Sequence, residues 1–184
     1  MIKNLKSSLI LTVILILMFG VIYPLGIYTI GLVFPSNSVG SPIVKDEKII
    51  GFENIGQSFN DDKYFWGRPS AVGYNAASTG GSNKGPANPD YLAEVQARID
   101  TFLVHNPGIR REDIPSDLVT ASGSGIDPNI SPNSAFIQVK RIAAVRNLPE
   151  AQIKAMVDSS IENTIMGMPV INVLKLNLKL DELK

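Results

Sequence analysis

Twenty-eight consecutive residues, Ser7 to Phe34, carry no charged side chain, and Lys3 and Lys6 stand just before them. As an α-helix this run would be about 42 Å long, against a bilayer hydrocarbon core of roughly 30 Å. The run is therefore long enough to span a membrane with some tilt. No second run of this kind follows, so the sequence predicts one transmembrane helix, with all later residues on one side of the membrane.

The charges that flank the run predict its orientation. Lys3 and Lys6 precede it, whereas the next basic residue is Lys45. Because positive charge favours the cytoplasmic side, the N-terminus should lie inside and the rest of the chain outside. The predicted organisation is a cytoplasmic N-terminus over 1–8, a transmembrane helix over 9–33 and an extracytoplasmic domain over 34–184, in the plasma membrane of the cell.

A cleaved signal peptide is the alternative to a retained helix. The apolar run exceeds the usual hydrophobic region of a signal peptide, which is about 7–15 residues long. Nor does a cleavage site of small residues follow, since Leu32 and Phe34 are too bulky for one. We therefore expect the helix to remain as an anchor.

The composition after the helix excludes several classes of function. Beyond Phe34 the chain has 15 Lys and Arg against 17 Asp and Glu, and the basic residues are scattered, which argues against nucleic acid as a partner. It has no cysteine, which excludes disulfides and cysteine nucleophiles. His105, the single histidine, is too little for a zinc hydrolase or a well-supported catalytic triad. We expect no metal site and no intrinsic catalysis.

The residues after the helix predict one small α+β domain. The apolar pairs Ile43–Val44 and Ile49–Ile50 flank a polar Lys45–Lys48 turn, which predicts a β-hairpin. Residues 60–88 are rich in Gly, Asn, Ser and Pro but contain several aromatic residues. We therefore expect an ordered irregular loop that packs on the core.

About three helices and a few short strands are predicted in this domain. The first helix starts at Asn88-Pro89-Asp90 and ends at Asn106-Pro107-Gly108, each a typical boundary signal. Ser131-Pro132 starts a second helix that continues to about Asn147, and a third runs from near Pro149 to Gly167–Pro169. The predicted inward faces carry Leu92, Val95, Ile99, Phe102 and Leu103, then Phe136, Val139, Ile142 and Ala143, then Ile153, Met156, Val157, Ile161 and Ile165.

The C-terminal pattern is ambiguous between strand and helix. Val170 to Leu174 is predicted as a strand. The alternation from Leu174 to Leu180 is consistent with an extension of that strand or with a terminal helix. We favour strand for the first part of this stretch only.

Two glycine-rich segments match nucleotide-binding patterns only in part. Gly80 to Pro86 spaces two glycines as a P-loop does, but Pro86 and Ala87 stand where Lys and Ser or Thr are required. Ala121 to Gly125 lacks both the nucleophile-elbow and the dinucleotide-binding spacing. Both segments therefore predict tight turns, and the alternative at Ser122–Gly125 is a nest of backbone N–H groups that binds an anion.

Asp117 and Asp127 are the candidates for a catalytic carboxylate pair, because ten residues of separation would let them flank one pocket. They support an alternative function, a signal-anchored extracytoplasmic hydrolase. An aspartate just before Pro128 is more simply a turn residue. Arg68 is predicted to stack on an aromatic ring or to pair with a carboxylate, in a structural role.

Within the span, small residues and a proline are concentrated in a short stretch. Glycines let helices approach closely in lipid, and proline removes a backbone donor. The predicted partner-binding set is Gly20, Tyr23, Pro24, Gly26 and Gly31. The alternative is a featureless anchor with a tolerated proline.

Longer motifs in the irregular segments resemble the KdpC family, the single-span subunit of the Kdp potassium-transporting P-type ATPase. These motifs are Gly56-Gln57-Ser58-Phe59, Tyr64 to Ala71 (YFWGRPSA), Tyr74-Asn75, Gly81 to Pro86 (GSNKGP), Asp117 to Gly125 (DLVTASGSG), Asp127-Pro128, Ile130-Ser131-Pro132, Gln138, Arg141, Ala144-Val145-Arg146, Asn172-Val173-Leu174 and Leu176-Asn177-Leu178. The resemblance covers nearly the whole chain, including Tyr23-Pro24-Leu25 in the span.

The resemblance implies a non-catalytic accessory subunit of a high-affinity, ATP-driven potassium uptake complex. Its partners would be a channel-like potassium-translocating subunit, a P-type ATPase subunit and a small single-span subunit, with ATP and K⁺ handled by the complex. Two roles are implied: stabilising assembly at the ion entrance of the channel-like subunit, or raising the ATP affinity of the ATPase subunit as a catalytic chaperone. The predicted topology favours the first role, because ATP is cytoplasmic and the domain is not.

The resemblance also marks motif positions of functional importance: Gln57, Ser58, Trp66, Arg68, Asn75, Ser82, Asn83, Asp117, Ser122, Gly123, Ser124 and Asp127. The glycine-containing set in the span is then expected to contact the channel-like subunit. A purely structural anchor protein is a third reading, and it would tolerate changes between Ser122 and Asp127.

Overall fold

The uncharged N-terminal run folds as one long helix in a computed structural model that describes residues 2–35, 40–164 and 167–183. The helix consists of α1 (Ile2–Leu17), a π-helical segment (Met18–Ile22) and α2 (Tyr23–Val33). Its stretch Asn4–Val33 includes an 18-residue segment with a mean hydropathy of 2.6 and is long and apolar enough to cross a membrane. The prediction of one long apolar N-terminal helix is confirmed.

The π-helical segment is a feature that the sequence did not predict. At its end the N–H of Tyr23 bonds to the carbonyl of Met18, five residues back instead of four. Pro24 follows at the first turn of α2. One extra residue is thus accommodated in the middle of the helix, immediately before a residue that has no backbone donor.

The chain divides into two compact units, one ending at Pro42 and one beginning at Ile43. Near this boundary β1 (Pro42–Lys45) and β2 (Lys48–Phe52) form a two-stranded hairpin, as predicted. Asp46 and Glu47 both have positive φ, 50° and 62°, as the favoured two-residue hairpin turn requires.

The first helix of the domain is α3 (Pro89–His105), with both boundaries as predicted. The side chain of Asn88 caps its first turn, and Asn106 ends it. Phe102 on its inward face is buried, but Leu92 is 52% exposed. The prediction that Leu92 packs inward was wrong, because the first turn of the helix lies beyond the edge of the core.

The second predicted helix is two helices, α4 (Pro132–Phe136) and α5 (Val139–Arg146). Ser131 caps α4 as predicted. The chain tightens at Gln138, whose N–H bonds to the carbonyl of Ala135, three residues back. Two short helices therefore replace one continuous helix.

The third helix, α6 (Glu150–Asp158), is shorter than predicted. Its buried residues Ile153, Met156 and Val157 were expected, but Ile161 lies beyond its end. The hydroxyls of Ser159 and Ser160 both bond to the carbonyl of Met156, at 2.9 and 2.8 Å. These side chains compete with the helical bonds, so the predicted end at Gly167–Pro169 was wrong. The predicted inward residue Ile165 lies outside the described residues.

At the C-terminus the predicted strand is present in its first part only, up to Asn172, and a helix follows. Strand β3 (Asn129–Ile130) pairs antiparallel with β4 (Ile171–Asn172), and α7 (Val173–Glu182) follows at once. The Asn172 side chain caps α7 by accepting from the N–H of Lys175 at 3.1 Å. The prediction of strand from Val173 onward was therefore wrong: the buried residues Val173, Leu176, Asn177 and Leu180 follow a helical spacing.

The core lies among these helices, the short β3–β4 pair and the irregular loop. Its largest fully buried apolar residues are Phe65, Ile130, Ile142, Ile153, Ile171, Leu176 and Leu180. Phe65 belongs to residues 60–88, so the prediction of an ordered loop packed on the core is confirmed. The domain is a small α+β domain, as predicted, with five α-helices in its described part instead of about three.

Candidate functional site

Two buried side-chain amides hold the irregular loop against the helices. Asn177 accepts from the N–H of Phe65 at 2.8 Å and donates to its carbonyl at 3.0 Å. Gln138 does the same for Trp66, at 2.8 and 3.2 Å. Gln138 is 0% exposed and Asn177 2%. Each amide therefore makes, for one loop residue, the pair of backbone hydrogen bonds that a neighbouring strand would otherwise make.

Arg141 packs against the face of the Trp66 ring. Its guanidinium carbon lies 4.6 Å from the ring centroid, within the range of a cation–π contact. The same group donates to Asn106 at 3.0 Å, to Gln138 at 2.7 Å and to the carbonyl of Asp62. Burial lowers the pKa of Arg141 to about 10, which still leaves it charged at neutral pH.

His105 is used in the same corner of the domain. Its ring contacts Trp66 edge-on with 5.0 Å between centroids, and its Nδ1 lies 2.8 Å from an Asp62 carboxylate oxygen. The histidine thus joins α3 to the loop.

Arg68 and Asp127 form an ion pair of 3.0 Å, as the structural role predicted for Arg68 requires. The other carboxylate oxygen of Asp127 accepts from the N–H of Asn129 at 3.0 Å, so the predicted turn before Pro128 is also present. Tyr74 donates its hydroxyl to the Arg68 carbonyl. Burial, with a smaller effect of the Asp127 charge, raises the pKa of Tyr74 to about 12.

The loop near residues 69–81 packs directly on the Ala121–Gly125 motif. Ser122 donates its N–H to the Pro69 carbonyl at 3.1 Å, and Gly80 donates to the Ser124 carbonyl at 2.8 Å. The Ser70 hydroxyl donates to the Gly125 carbonyl at 2.6 Å. Gly125 has a φ of 72°, and a Cβ there would lie 2.6 Å from the Gly80 carbonyl oxygen. Glycine is therefore required at position 125 by both conformation and space.

The tips of these two loops form an exposed patch, which we name the two-loop surface and define as Asn75, Asn83, Gly123 and Ser124. Gly123 differs from Gly125, since a Cβ at Gly123 would meet nothing within 4 Å. The fold therefore does not explain a glycine at position 123. Asn83 has a φ of 53°, a conformation that asparagine tolerates better than most residues.

The anion nest considered for Ser122–Gly125 has fewer donors than the sequence suggested. The N–H of Ser122 is bound to Pro69, and that of Gly125 is bound to the Ser122 hydroxyl at 3.0 Å. The Ser124 hydroxyl accepts from Ile126 at 3.2 Å. The motif is a tight turn that is stabilised both by its own serine side chains and by the loop near residues 69–81.

Asp117 and Asp127 both line an open groove of about 710 Å³, as expected for a pair ten residues apart. Each carboxylate, however, already makes hydrogen bonds that stabilise the fold. Asp117 accepts from the N–H of Ser131 at 2.8 Å and from the Ser134 hydroxyl at 2.6 Å, at the start of α4. With Asp127 bound to Arg68, neither carboxylate is arranged as a general acid or base, and the hydrolase alternative gains no support.

The remaining motif residues are spread over the domain. Gln57 donates to the Ile50 carbonyl at 2.9 Å and so attaches the hairpin to the following segment. Ser58 is exposed at the edge of a second groove of about 460 Å³, which Trp66 and Arg68 also line. Ser82 is half-buried in the loop before α3. The structure thus brings together Arg68 with Asp127, and Ser122 to Ser124 with the loop that contains Asn75.

Within the span, helical spacing separates the predicted contact residues into two faces. Pro24 and Gly31 are seven residues apart in α2 and therefore share a face, whereas Tyr23 shares another face with Gly26. A Cβ at Gly20 or Gly26 would meet nothing within 4 Å. Both glycines therefore leave room for the close approach of a neighbouring helix.

Several buried polar residues were absent from the predicted site, among them Gln138, Arg141 and Asn177, which belong to motifs of the resemblance. Their signal was available, because each is polar at a position where the helical pattern points inward. A buried polar side chain requires partners, and in this domain those partners are backbone groups of the irregular loop. Among the described residues, no group of three His, Cys, Asp or Glu side chains is placed to hold a metal ion.

Comparison with known proteins decides the family. The family model described as the c chain of K⁺-transporting ATPase matches residues 5–182. The chain belongs to the KdpC family.

Individual relatives agree with this assignment over their full lengths. The potassium-transporting ATPase KdpC subunit of Flavobacterium psychrophilum is 55% identical, with 99% of this chain and 100% of the relative aligned. That of Bacteroides thetaiotaomicron is 50% identical, with the same shares aligned, and that of Caldanaerobacter subterraneus is 46% identical, with 98% and 95% aligned. KdpC membership makes this chain an accessory subunit of the Kdp potassium-transporting ATPase.

Proposed function

We propose that this KdpC-family subunit is non-catalytic and crosses the membrane once, with its N-terminus in the cytoplasm and its α+β domain outside. In this arrangement it stabilises the complex and acts at the ion entrance of the channel-like subunit. The observation that carries the proposal is the use of buried polar groups in the domain. Gln138, Arg141 and Asn177 all bind loop backbone, so the irregular loop is fixed against the helices and can present a rigid surface to a partner.

The partners proposed are the channel-like subunit, the P-type ATPase subunit and the small single-span subunit. Nucleotide is not proposed as a direct ligand of the domain, because ATP is cytoplasmic and the proposed position of the domain is not. Any effect on the ATP affinity of the ATPase subunit, as a catalytic chaperone, would then pass through coupled conformations of the complex. The occupied N–H groups of Ser122 and Gly125 support this choice.

The two-loop surface is the part of the domain that we propose contacts the channel-like subunit. Its residues belong to motifs that resemble the family, yet they are exposed and the fold does not need Gly123. An exposed glycine without a conformational duty lets another surface approach the backbone closely. The neighbouring Gly125 holds the loop in shape and need not itself touch a partner.

The span is proposed to contribute a second contact through Gly20, Tyr23, Pro24, Gly26 and Gly31. In lipid, close packing of small residues replaces the hydrophobic drive that operates in water. Since Gly26 and Gly31 lie on different faces of α2, the two positions can be tested separately. The more damaging single variant identifies the face that packs on the partner.

The test measures assembly and transport with the whole complex. Gly26→Leu with Gly31→Leu should release the subunit from the other subunits during purification and lower potassium uptake at low external potassium. Gly123→Leu should lower uptake while the domain stays folded, whereas Ala93→Leu, at an exposed position of α3, should change neither. Full copurification of the double variant would show that the span is a passive tether, and protection of the domain from protease in right-side-out vesicles would refute the topology.

A further inference from the structure

The middle of the span contains a backbone carbonyl that has no hydrogen-bond donor within the helix. The donor is missing both four residues further on, as in an α-helix, and five residues further on, as in a π-helix. In an α-helix the carbonyl of Phe19 would accept from the N–H of Tyr23, but that N–H bonds to Met18. In the π register the donor would be residue 24, and Pro24 has no N–H. The π-helical segment and the proline together therefore leave the Phe19 carbonyl unpaired along the helix.

Side chains of the span do not offer a replacement. Residues 18–33 are all described, and Thr29 is the only short hydroxyl side chain in this stretch. Its hydroxyl donates to the Gly26 carbonyl at 2.8 Å, seven residues further along the chain than Phe19. The Phe19 carbonyl thus depends on a donor from another molecule.

The surroundings determine what kind of donor that is. Met18 to Ile22 is apolar and lies well inside the Asn4–Val33 span, where lipid tails provide no hydrogen-bond donor. An unsatisfied backbone group in hydrocarbon is costly, and helix irregularities in membranes persist where a neighbouring helix supplies the missing partner. Gly20, next to Phe19, has open space around its Cβ position, so a neighbouring helix can come close.

We propose that the Phe19 carbonyl is a docking acceptor for a transmembrane helix of another subunit of the complex, through a hydroxyl, amide or cationic side chain that donates to it. This rests on the proposed assembly function and specifies its chemistry. The span would then be recognised by one directional hydrogen bond in addition to shape. Such a bond determines the register of the two helices along the membrane normal. Close packing alone determines that register less sharply.

The first test uses Pro24→Ala in the complete complex. Alanine restores an N–H at position 24, so the helix can satisfy its own carbonyls and the docking acceptor disappears. Loss of one interhelical hydrogen bond should weaken association about threefold to tenfold, measured as recovery of the subunit with its partners over a detergent series. Leu25→Ala is the control, because it shortens an apolar side chain at the same depth and changes no backbone group.

The second test observes the carbonyl itself and excludes an effect of helix bending alone. A carbon-13 and oxygen-18 label at the Phe19 carbonyl should give an infrared stretch at lower wavenumber in the complex than in the full-length subunit alone in a lipid bilayer. Equal wavenumbers in the two samples would overturn the proposal, even if Pro24→Ala reduced recovery. A low wavenumber in the subunit alone that depends on its concentration would place the donor in a second copy, and would also overturn it.

These outcomes separate the inference from the function on which it rests. If Gly31→Leu releases the subunit but Pro24→Ala does not, the span docks as proposed and the acceptor role fails. If the wild-type subunit does not copurify with the complex at all, the proposed function fails first.

Discussion

In the N-terminal helix the backbone is satisfied along the helix itself, apart from the Phe19 carbonyl, whereas in the domain the backbone of Phe65 and Trp66 is satisfied by the side chains of Asn177 and Gln138. The helix therefore depends on backbone donors and tolerates many apolar side chains. The loop depends on a few particular side chains, because residues 60–88 contain no strand that would provide a ladder. We therefore expect the domain to be most sensitive to substitution of a few polar side chains. We expect the span to be most sensitive to substitutions that alter its backbone.

The largest expected effect tests the domain half of this comparison. Gln138→Leu leaves the half-buried N–H and carbonyl of Trp66 without their Gln138 partner and also removes a buried acceptor of Arg141. We expect a loss of about 3–5 kcal/mol in the free energy of unfolding. Urea unfolding of the full chain in detergent measures it through the fluorescence of Trp66, the only tryptophan. Gln152→Leu, at an exposed position of α6, is the matched control, and equal midpoints for the two variants would contradict the role of the amide.

The next effect compares two glycines of one motif. Gly125→Ala must hold alanine at a φ of 72° against the Gly80 carbonyl, and should cost about 2–3 kcal/mol. Gly123→Ala meets no atom within 4 Å, and should stay within about 0.5 kcal/mol of the wild type. The same unfolding experiment measures both. A large loss at Gly123 would mean that the loop is held differently from the contacts described above.

A smaller effect concerns Tyr74 and depends on pH. Tyr74→Phe loses the hydrogen bond to the Arg68 carbonyl and should be about 1 kcal/mol less stable than the wild type at neutral pH. The pKa of Tyr74 is raised from 10.0 to about 12, so the folded state disfavours ionisation. Stability from this group is therefore full below about pH 10 and is lost as the pH rises through about 12.

Only the wild type carries this ionisation at position 74. The difference between wild type and Tyr74→Phe should therefore shrink above about pH 10 and reverse in sign at about pH 11, since a shift of about two pKa units corresponds to roughly 2–3 kcal/mol. Arg141 is present in both proteins, so its lowered pKa cancels in the comparison. A gap that is constant up to about pH 11 would show that Tyr74 is not buried in the neutral form.

The smallest effect tests the independence of the two units. Gly31→Leu changes the helix in the unit that ends at Pro42, while the domain core lies beyond Ile43. The free energy of domain unfolding should stay within about 0.5 kcal/mol of the wild type, although assembly is impaired. A larger shift in the unfolding midpoint would indicate that the span and the domain fold cooperatively.

Several features of the fold were predictable because the signals are local. An uncharged run of this length leaves a helix as its simplest structure in lipid, and Asn88-Pro89 and Ser131-Pro132 start helices through contacts within a single turn. The family motifs likewise appear as contiguous residues, which is why the resemblance was visible before the fold. The hairpin at Asp46–Glu47 belongs to the same class of short-range signals.

Other features depend on residues far apart in the chain. The stretch from Val173 to Leu180 alternates like a strand, but it is helical because Asn172 caps it and its Leu176 and Asn177 face the core. The second helix breaks next to Gln138, whose side chain binds the backbone of Trp66, 72 residues away in the chain. Propensity within a short window contains no information about such partners.

For the site, the sequence by itself determined which residues are unusual, and the tertiary structure decided what each of them does. Asp117 and Asp127 were candidates for a catalytic pair, with a turn as the simpler interpretation of Asp127, until Ser134 and Arg68 were found bound to them. Gly123 and Gly125 are alike in sequence, and only the position of Gly80 shows that Gly125 is required by the fold. The physical reason is that a side chain's role depends on burial and on hydrogen-bond partners, and both arise only when distant segments pack together.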